Sequence, residues 1–344
     1  MTGGVPVRPR ILSGVKPSRR PHLGNWFGAM RQFVDLQSAV GGKPSDGFYF
    51  IANLHALDQI RNAAELREYT TGVALDYLAL GLDPGRSTLF VQSDVPEIVA
   101  LTWILGTVTP MGLLERMHAY KDATAKGRPA DFGLFAYPVL MAADILLPAA
   151  DLVPVGDDQK QHVEFARDVA VKFNRTYCPG FDPHTGKGGA LKLPEPFILD
   201  DVGTVPGTDG KKMSKSYGNT IELFATDKEV EKSIKRIVTD SRGVADAKDP
   251  ATCNVFRILA LFLSPAERSA LEARYRAGGE GYGVYKQMLI DAFHARFDPA
   301  RAHRRELEQD LGAVREILRR GAERAREEGA KTLRAVEEAC GVRW

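Results

Sequence analysis

The stretch RILSGVKPSRRPHLGNWFGAMRQFVDLQ, residues 10–37, decides the fold. It begins as a β-rich run, RILSGV, and passes through a turn stiffened by Pro17 and Pro21 and loaded with Lys16, Arg19 and Arg20. It resumes as a helical pattern near GNWFGAMRQFVDLQ. A strand, a turn and a helix in that order open a βαβ unit, and the alternation continues through the first two hundred residues. GFYFIANLHA is followed by AAELREYTTGVALDYLALG, then STLFVQS; DLVPVG is followed by DDQKQHVEFARDVAVKFN. In that last helix Val163, Ala166, Val169, Ala170 and Phe173 recur at helical spacing, and Asp157 and Asp158 stand where a helix start favours acids.

This alternation predicts an α/β fold, a Rossmann-like doubly wound parallel sheet with helices on both faces, over residues 1–203. The stretch 204–220 reads as a glycine-rich loop and linker. From 221 to 344 the β signal is gone, and LFATDKEVEKSIKRIV, CNVFRILALFL, SPAERSALEARYRAG and YGVYKQMLIDAFHARF predict an all-helical second domain. A chain of 344 residues fits a large domain plus a smaller one.

The 46 Lys and Arg against 44 Asp and Glu leave a net charge of only +2, so a polyanion must be met by a local patch rather than a global field. Cys178, Cys253 and Cys340 lie far apart with no CxxC pair, which argues against a zinc site or a disulfide framework and fits a reducing cytosol. The start MTGGVPVRPR lacks a signal-peptide apolar core. The longest apolar run, YPVLMAADILLPAADLVPV, is interrupted by Asp144, Pro148, Asp151 and Pro154. The expectation is a soluble, cytoplasmic protein without a membrane segment.

Ligands of open parallel sheets bind at the carboxyl ends of strands, and the residues after RILSG occupy the first such place. Gly24 lets backbone approach a flat base or a phosphate, and His22 and Asn25 can donate into the same space. The alternative is a surface turn with solvated arginines. A second motif, KMSKS at Lys212–Ser216, is extended by Lys211 and bracketed by Gly210 and Gly218. Three lysines in a glycine-flanked loop suit a polyphosphate that is gripped and then released; the alternative is a solvated basic linker. On the predicted helix of YPVLMAADILL, Tyr137, Met141 and Asp144 share one face. A lone Asp in so apolar a stretch is either a partly solvated carboxylate or a deliberate acceptor, because burying it unpaired is costly.

HLGN at 22–25 and KMSKS at 212–216 resemble the signature motifs of class I aminoacyl-tRNA synthetases. YPVLMAADILL, VPVGDDQKQH and PGTDGKKMSKSYGN are similar to the tryptophanyl-tRNA synthetases, over nearly the whole chain. The resemblance implies that tryptophan is activated by ATP to the adenylate and passed to tRNA(Trp). Asp144 then matches the acceptor for the indole N–H, Tyr137 and Gln159 match residues that hold the amino group, and Met141 and His55 line the pocket. Leu12, Val153 and Val155 supply its walls, although the valines equally suit ordinary strand core. A site that hydrogen-bonds a ring donor rejects an analogue lacking it by ~10⁴-fold, so phenylalanine is excluded without editing.

For ATP the resemblance implies Lys16, Pro17, Ser18, His22, Gly24 and Asn25 at the first turn. Gly156, Asp157 and Asp158 match the family's ribose-binding GED; Val205 and Met213 meet adenine; Lys212, Ser214, Lys215 and Ser216 meet the phosphates. Neither step needs a protein nucleophile. Catalysis is assigned to Lys212 and Lys215, with Lys121 of HAYKDATA and Lys16 as further phosphate-side cations. Magnesium accompanies the triphosphate without a protein-built cage, and no metal ligand is named.

Typical members read GxQPSG and then TIGN. This chain has Lys16 at the glutamine, Arg19 at the glycine and His22 at the threonine. Lys16 is expected to bring positive charge to the phosphates and lessen dependence on magnesium. Some relatives hold an iron–sulfur cluster on four cysteines; here Cys253 stands at the first position without partners in reach, so none is expected. The helical domain is expected to read the anticodon. Its arginines at 301, 304, 305, 315, 319, 320, 324 and 326 are interleaved with acids, which reads as a solvated face for most of them. A homodimer is expected, with GTVTPMGLLERM at the interface. The rival readings are a tyrosyl-tRNA synthetase, a small-molecule nucleotidyltransferase, and a synthetase-like paralogue that does not charge tRNA.

Overall fold

Five strands lie side by side in one parallel sheet: β1 (Arg10–Val15), β2 (Asp46–Ile51), β3 (Ser87–Val91), β4 (Leu152–Val155) and β5 (Glu195–Ile198). This is a computed structural model, and it describes residues 8–40, 42–127, 129–156, 159–198 and 204–344. The spatial order is β3-β2-β1-β4-β5, so the winding reverses at β1. A crevice therefore opens beyond the carboxyl ends of β1 and β4. Leu12 sits opposite Phe48, and Phe48 opposite Thr88, which fixes the register across the first three strands.

The pleat sorts side chains between two cores. Leu12, Phe48, Phe50, Phe90 and Val153 face the helices α3 (Glu97–Val108), α4 (Phe132–Leu146) and α5 (Lys160–Tyr177). Tyr49, Ile51, Leu89 and Val91 face the opposite core, shared with α1 over 23–36 and α2 (Ala63–Ala79). Each fully buried aromatic or branched side chain contributes roughly 1.5–3 kcal/mol relative to exposure. The middle turn of α1, Trp26–Met30, is π-helical; it turns Trp26 and Phe27 onto Phe297 and Phe262 of the helical region, ring centroids 5.9 and 5.1 Å apart. Side chains start the helices: Asn62 accepts from the Ala64 and Glu65 N–H groups, and Asp131 from Leu134 N–H.

The helical region contains α6 (Asp227–Lys235), α7 (Asn254–Leu259), α8 (Pro265–Ala277), α9 (Tyr282–Gln309) and α10 (Leu311–Cys340). Thr226 with Glu229 and Ser264 with Glu267 form reciprocal capping boxes at α6 and α8. α9 packs against α2, whereas α10 returns to the sheet and runs along its open edge, β3. A Cβ at Gly321 would stand 1.9 Å from the Leu89 carbonyl oxygen, so only glycine permits this approach. Ala322, Ala325 and Val336 join the α3–α5 core, and Arg324 donates to Thr88 Oγ1 and Asp46 Oδ1, both at 2.6 Å. An edge strand that would otherwise invite pairing is thereby covered.

Six of the eight arginines, at 305, 315, 319, 320, 324 and 326, are exposed, as expected for most of them, and two are not. Arg301 and Arg304 are buried, on Asp298 and Asp227 and on Asp76 respectively, and Arg324 is committed to the sheet edge. Arg319 and Arg320 do lie exposed, against Glu316. Among the described residues no helix is long and apolar enough to cross a membrane.

Candidate active site

β1 ends at Val15 and the chain enters the proline-stiffened turn, which the second motif and the start of the helical region hold in place. Leu23 N–H donates to the Ile221 carbonyl at 3.0 Å and Leu223 N–H to that of Pro21 at 2.9 Å, so HLGN is clamped to residues 221–223. Asn25 Oδ1 accepts His22 N–H at 3.1 Å, closing the first helical turn. Gly24 N–H points at Met213 Sδ, 3.3 Å away. A Cβ at Gly24 would come within 2.9 Å of His22 Nδ1 and 3.3 Å of Met213 Cβ, which is why glycine stands there. Two motifs separated by nearly two hundred residues thus touch directly.

His22 is buried, and its Nδ1 has no hydrogen-bond partner among the described residues. Burial, reinforced by the nearby Lys215 charge, pushes its pKa down to about 4, so the ring is neutral at ordinary pH. The KMSKS loop is a tight turn. Met213 N–H donates to the Val205 carbonyl at 2.9 Å; Asn219 accepts Ser214 N–H and donates to Asp209 and the Lys212 carbonyl. Lys215 is half-buried and donates to the Arg19 carbonyl oxygen; burial holds its ammonium below the ordinary lysine range. Lys212 and Ser216 are exposed, and Ser214 and Ser216 share a hydrogen bond.

A cavity of about 710 Å³ lies in the crevice beyond β1, β2 and β4; Lys16, at the start of the turn that leads to HLGN, lines it, and the KMSKS residues do not. Its walls include Leu12, Gly14, Phe50 and Val153 from the strands and Met141 from α4. Asp144 stands in it, 3% exposed. His55 Nε2 is 2.7 Å from Asp144 Oδ2, and Gln92 Nε2 donates to both carboxylate oxygens at 2.8 and 2.9 Å. Burial pushes the Asp144 pKa up; the hydrogen bonds from His55 and Gln92 oppose that shift. Tyr137 lines the cavity with its hydroxyl 2.9 Å from His162 Nε2, and Gln159 sits beside it. Lys16 lines the opposite side, its ammonium 3.3 Å from Asp58.

Of the residues singled out from the sequence, Leu12, Lys16, His55, Tyr137, Met141, Asp144, Val153 and Gln159 therefore surround one cavity. Ser18, Gly24 and Asn25 line a smaller neighbouring one of about 220 Å³. Val155 and Val205 are buried core residues. Pro17 lies between Lys16 and Ser18 in the turn, and Gly156 follows β4 directly. Lys121 is exposed on the short helix His118–Ala125, which presents His118 and Asp122 to the cavity instead. Asp157 and Asp158 lie outside the described residues. Gln92 and His162 escaped the sequence reading. An amide immediately after a strand at the carboxyl edge, in FVQSDV, was the signal for the first; a histidine three residues after Gln159 was the signal for the second.

A buried carboxylate in a cavity walled by Leu12, Phe50, Met141 and Val153 can receive one ring donor, and the lysine-bearing turns at 16–25 and 211–216, which touch each other, can meet a polyphosphate. Comparison with known proteins agrees with that chemistry. The family model for tRNA synthetases class I (W and Y) matches residues 7–298. The tryptophan–tRNA ligase of Rhodopirellula baltica is 52% identical over 97% of this chain and 100% of its own length. That of Fusobacterium nucleatum is 48% identical over 97% and 98%. Among solved structures, the tryptophanyl-tRNA synthetase from Campylobacter jejuni complexed with ADP and tryptophan superposes with a TM-score of 0.86 at 45% identity, covering 96% of this chain and 99% of that one. Motif, fold and extent of similarity converge, and the chain belongs to the class I tRNA synthetases of the W and Y group.

Proposed function

We infer that this protein is a tryptophan–tRNA ligase: it activates L-tryptophan with ATP to tryptophanyl-adenylate, releasing pyrophosphate, and transfers the aminoacyl group to tRNA(Trp), releasing AMP. The observation that carries the reading is the buried Asp144, held by His55 and Gln92 in a cavity that Lys16 also lines, together with the direct contact between HLGN and KMSKS.

In the proposed arrangement the indole lies between Leu12, Met141 and Val153 and donates its N–H to Asp144. The amino group reaches Tyr137 and Gln159, and the carboxylate projects towards Lys16. ATP enters between the turn at 16–25 and the KMSKS loop. Gly24 and Asn25 meet the nucleotide, the neutral His22 offers its unpartnered nitrogen, and Val205 and Met213 lie on the adenine side. Lys16, Lys212 and Lys215 supply charge as the carboxylate oxygen attacks the α-phosphate and pyrophosphate leaves. Lys121 joins them if its side chain folds over the cavity rim. Asp157 and Asp158 carry the ribose assignment from the resemblance alone.

Magnesium enters as part of the nucleotide substrate. The donors at the phosphate side are mainly cations, a set suited to phosphate oxygens rather than to caging a divalent ion. A homodimer is supported by the apolar side chains that α3 and its neighbours expose: Trp103 at 77%, Met111 at 62% and Phe132 at 82%. The reading is tested by pyrophosphate exchange with tryptophan and tyrosine in parallel. Exchange dependent on tryptophan is expected, and exchange preferring tyrosine would overturn it.

A further inference from the structure

Gln92 is the first residue beyond β3 and has no exposed surface. It does not line the cavity, yet its whole amide is committed. Oε1 accepts Leu54 N–H at 3.0 Å, and Nε2 donates to Asp144 Oδ1 at 2.8 Å and Oδ2 at 2.9 Å. The orientation of this amide is not ambiguous. A backbone N–H requires the oxygen on its side, which turns the NH₂ to the carboxylate.

The chain then closes a ring. Leu54 precedes His55, whose Nε2 meets Asp144 Oδ2 at 2.7 Å. Gln92 therefore fixes both the carboxylate and the loop that carries its other partner. A second brace lies alongside: Asn53 Nδ2 donates to Ser93 Oγ at 2.8 Å, and Ser93 N–H donates to Asn53 Oδ1 at 3.1 Å. A carboxylate offers about four lone-pair positions. Gln92 donates to both oxygens and His55 meets Oδ2 only, so Oδ1 is the less occupied oxygen and has room for one further donor. Without Gln92 the buried carboxylate would be free to rotate about its last bond and would lose a donor that stabilises its charge.

We propose that Gln92 is a positioning residue for tryptophan recognition: without touching the substrate, it aims Asp144 at the indole N–H and so sets selectivity for a ring that carries that donor. The inference rests on the tryptophan reading of the cavity. It is tested with Gln92→Met, which keeps the volume and loses the hydrogen bonds, by pyrophosphate exchange with tryptophan and with its analogue in which sulfur replaces the indole N–H. In the wild type tryptophan is strongly preferred. In Gln92→Met the preference, as the ratio of kcat/KM values, is expected to fall roughly 10- to 100-fold, with KM for ATP unchanged.

A variant that merely loosened the cavity would lower both substrates alike; an unchanged ratio overturns the inference. Gln92→Glu guards against a folding defect, because it keeps the shape and the bond from Leu54 N–H. Its introduced carboxyl repels Asp144 when ionised and donates to it when protonated, so selectivity should recover as pH falls. A pH-independent ratio equal to that of wild type also overturns the proposal. Failure of the wild type itself to use tryptophan would instead refute the functional reading on which it rests.

Discussion

Arg304 of α9 donates its Nε–H to Asp76 Oδ1 of α2 at 2.7 Å, both side chains buried, and so ties the helical region to the α/β domain beneath the KMSKS joint. Burial pushes the Asp76 pKa up to about 6, against the opposing pull of Arg304. Between about pH 4 and 6 the folded protein therefore holds a proton that the unfolded chain has lost, and this group's contribution falls as pH rises through that window. His22 has the opposite sign. Its folded pKa of about 4 lies below the unfolded value of 6.5, so stability is lost as pH falls from about 6.5 towards 4.

The two slopes, on the order of 3 kcal/mol each, oppose one another over nearly the same range. The two contributions are read as differences from the wild-type profile of melting temperature between pH 4 and 7. Relative to the wild type, the slope with pH should become more positive in Asp76→Asn and more negative in His22→Asn. The slopes are the readout, since either variant also changes stability at every pH. Parallel profiles for all three proteins would contradict the assignment.

Gly321 and Gly72 are both helical, but only the first has a neighbour where a Cβ would go. Gly321→Ala should push α10 away from Leu89 and destabilise the protein by roughly 1–3 kcal/mol or more. Gly72→Ala, with nothing within 4 Å, should stabilise it by about 0.5–1 kcal/mol. Denaturant midpoints at constant m-value measure both. Equal and opposite signs reversed from these would mean that α10 does not pack on β3 as described.

Lys16 is paired with Asp58 across the cavity mouth, 3.3 Å away and half exposed, which leaves it free to exchange that partner for a substrate oxyanion. Lys16→Gln is expected to move the magnesium dependence of pyrophosphate exchange several-fold towards higher magnesium. A superimposable magnesium profile would remove Lys16 from the phosphate assignment.

Trp103→Asp places a charge on the exposed apolar face of α3 without touching the cavity. Sedimentation should show a dimer for the wild type and a monomer for this variant, with its secondary structure unchanged. A dimer that survives the substitution puts the interface elsewhere.

Much of the architecture was legible in the sequence because its determinants are local. Strand–turn–helix alternation marked β1 to β4, and a shared helical face gathered Tyr137, Met141 and Asp144. β5 was missed: EPFI is four residues at a sheet edge, carries a proline, and shows no alternation. The role of α10 was missed for a different reason. Its arginines and glutamates mark a solvated face, while the packing information lay in the small residues Gly321, Ala325 and Gly329, four apart on one face. Gln92 and the buried Arg304 depend on partners 52 and 228 residues away, a relationship that no local pattern encodes.

The most direct test of the whole account is charging of purified tRNA with labelled amino acid. Tryptophan should appear on tRNA(Trp) in an ATP-dependent reaction, and Asp144→Ala should lower kcat/KM for tryptophan by roughly 30-fold or more through loss of the indole acceptor. Charging with tyrosine in preference to tryptophan, or an Asp144→Ala enzyme indistinguishable from wild type, would contradict it.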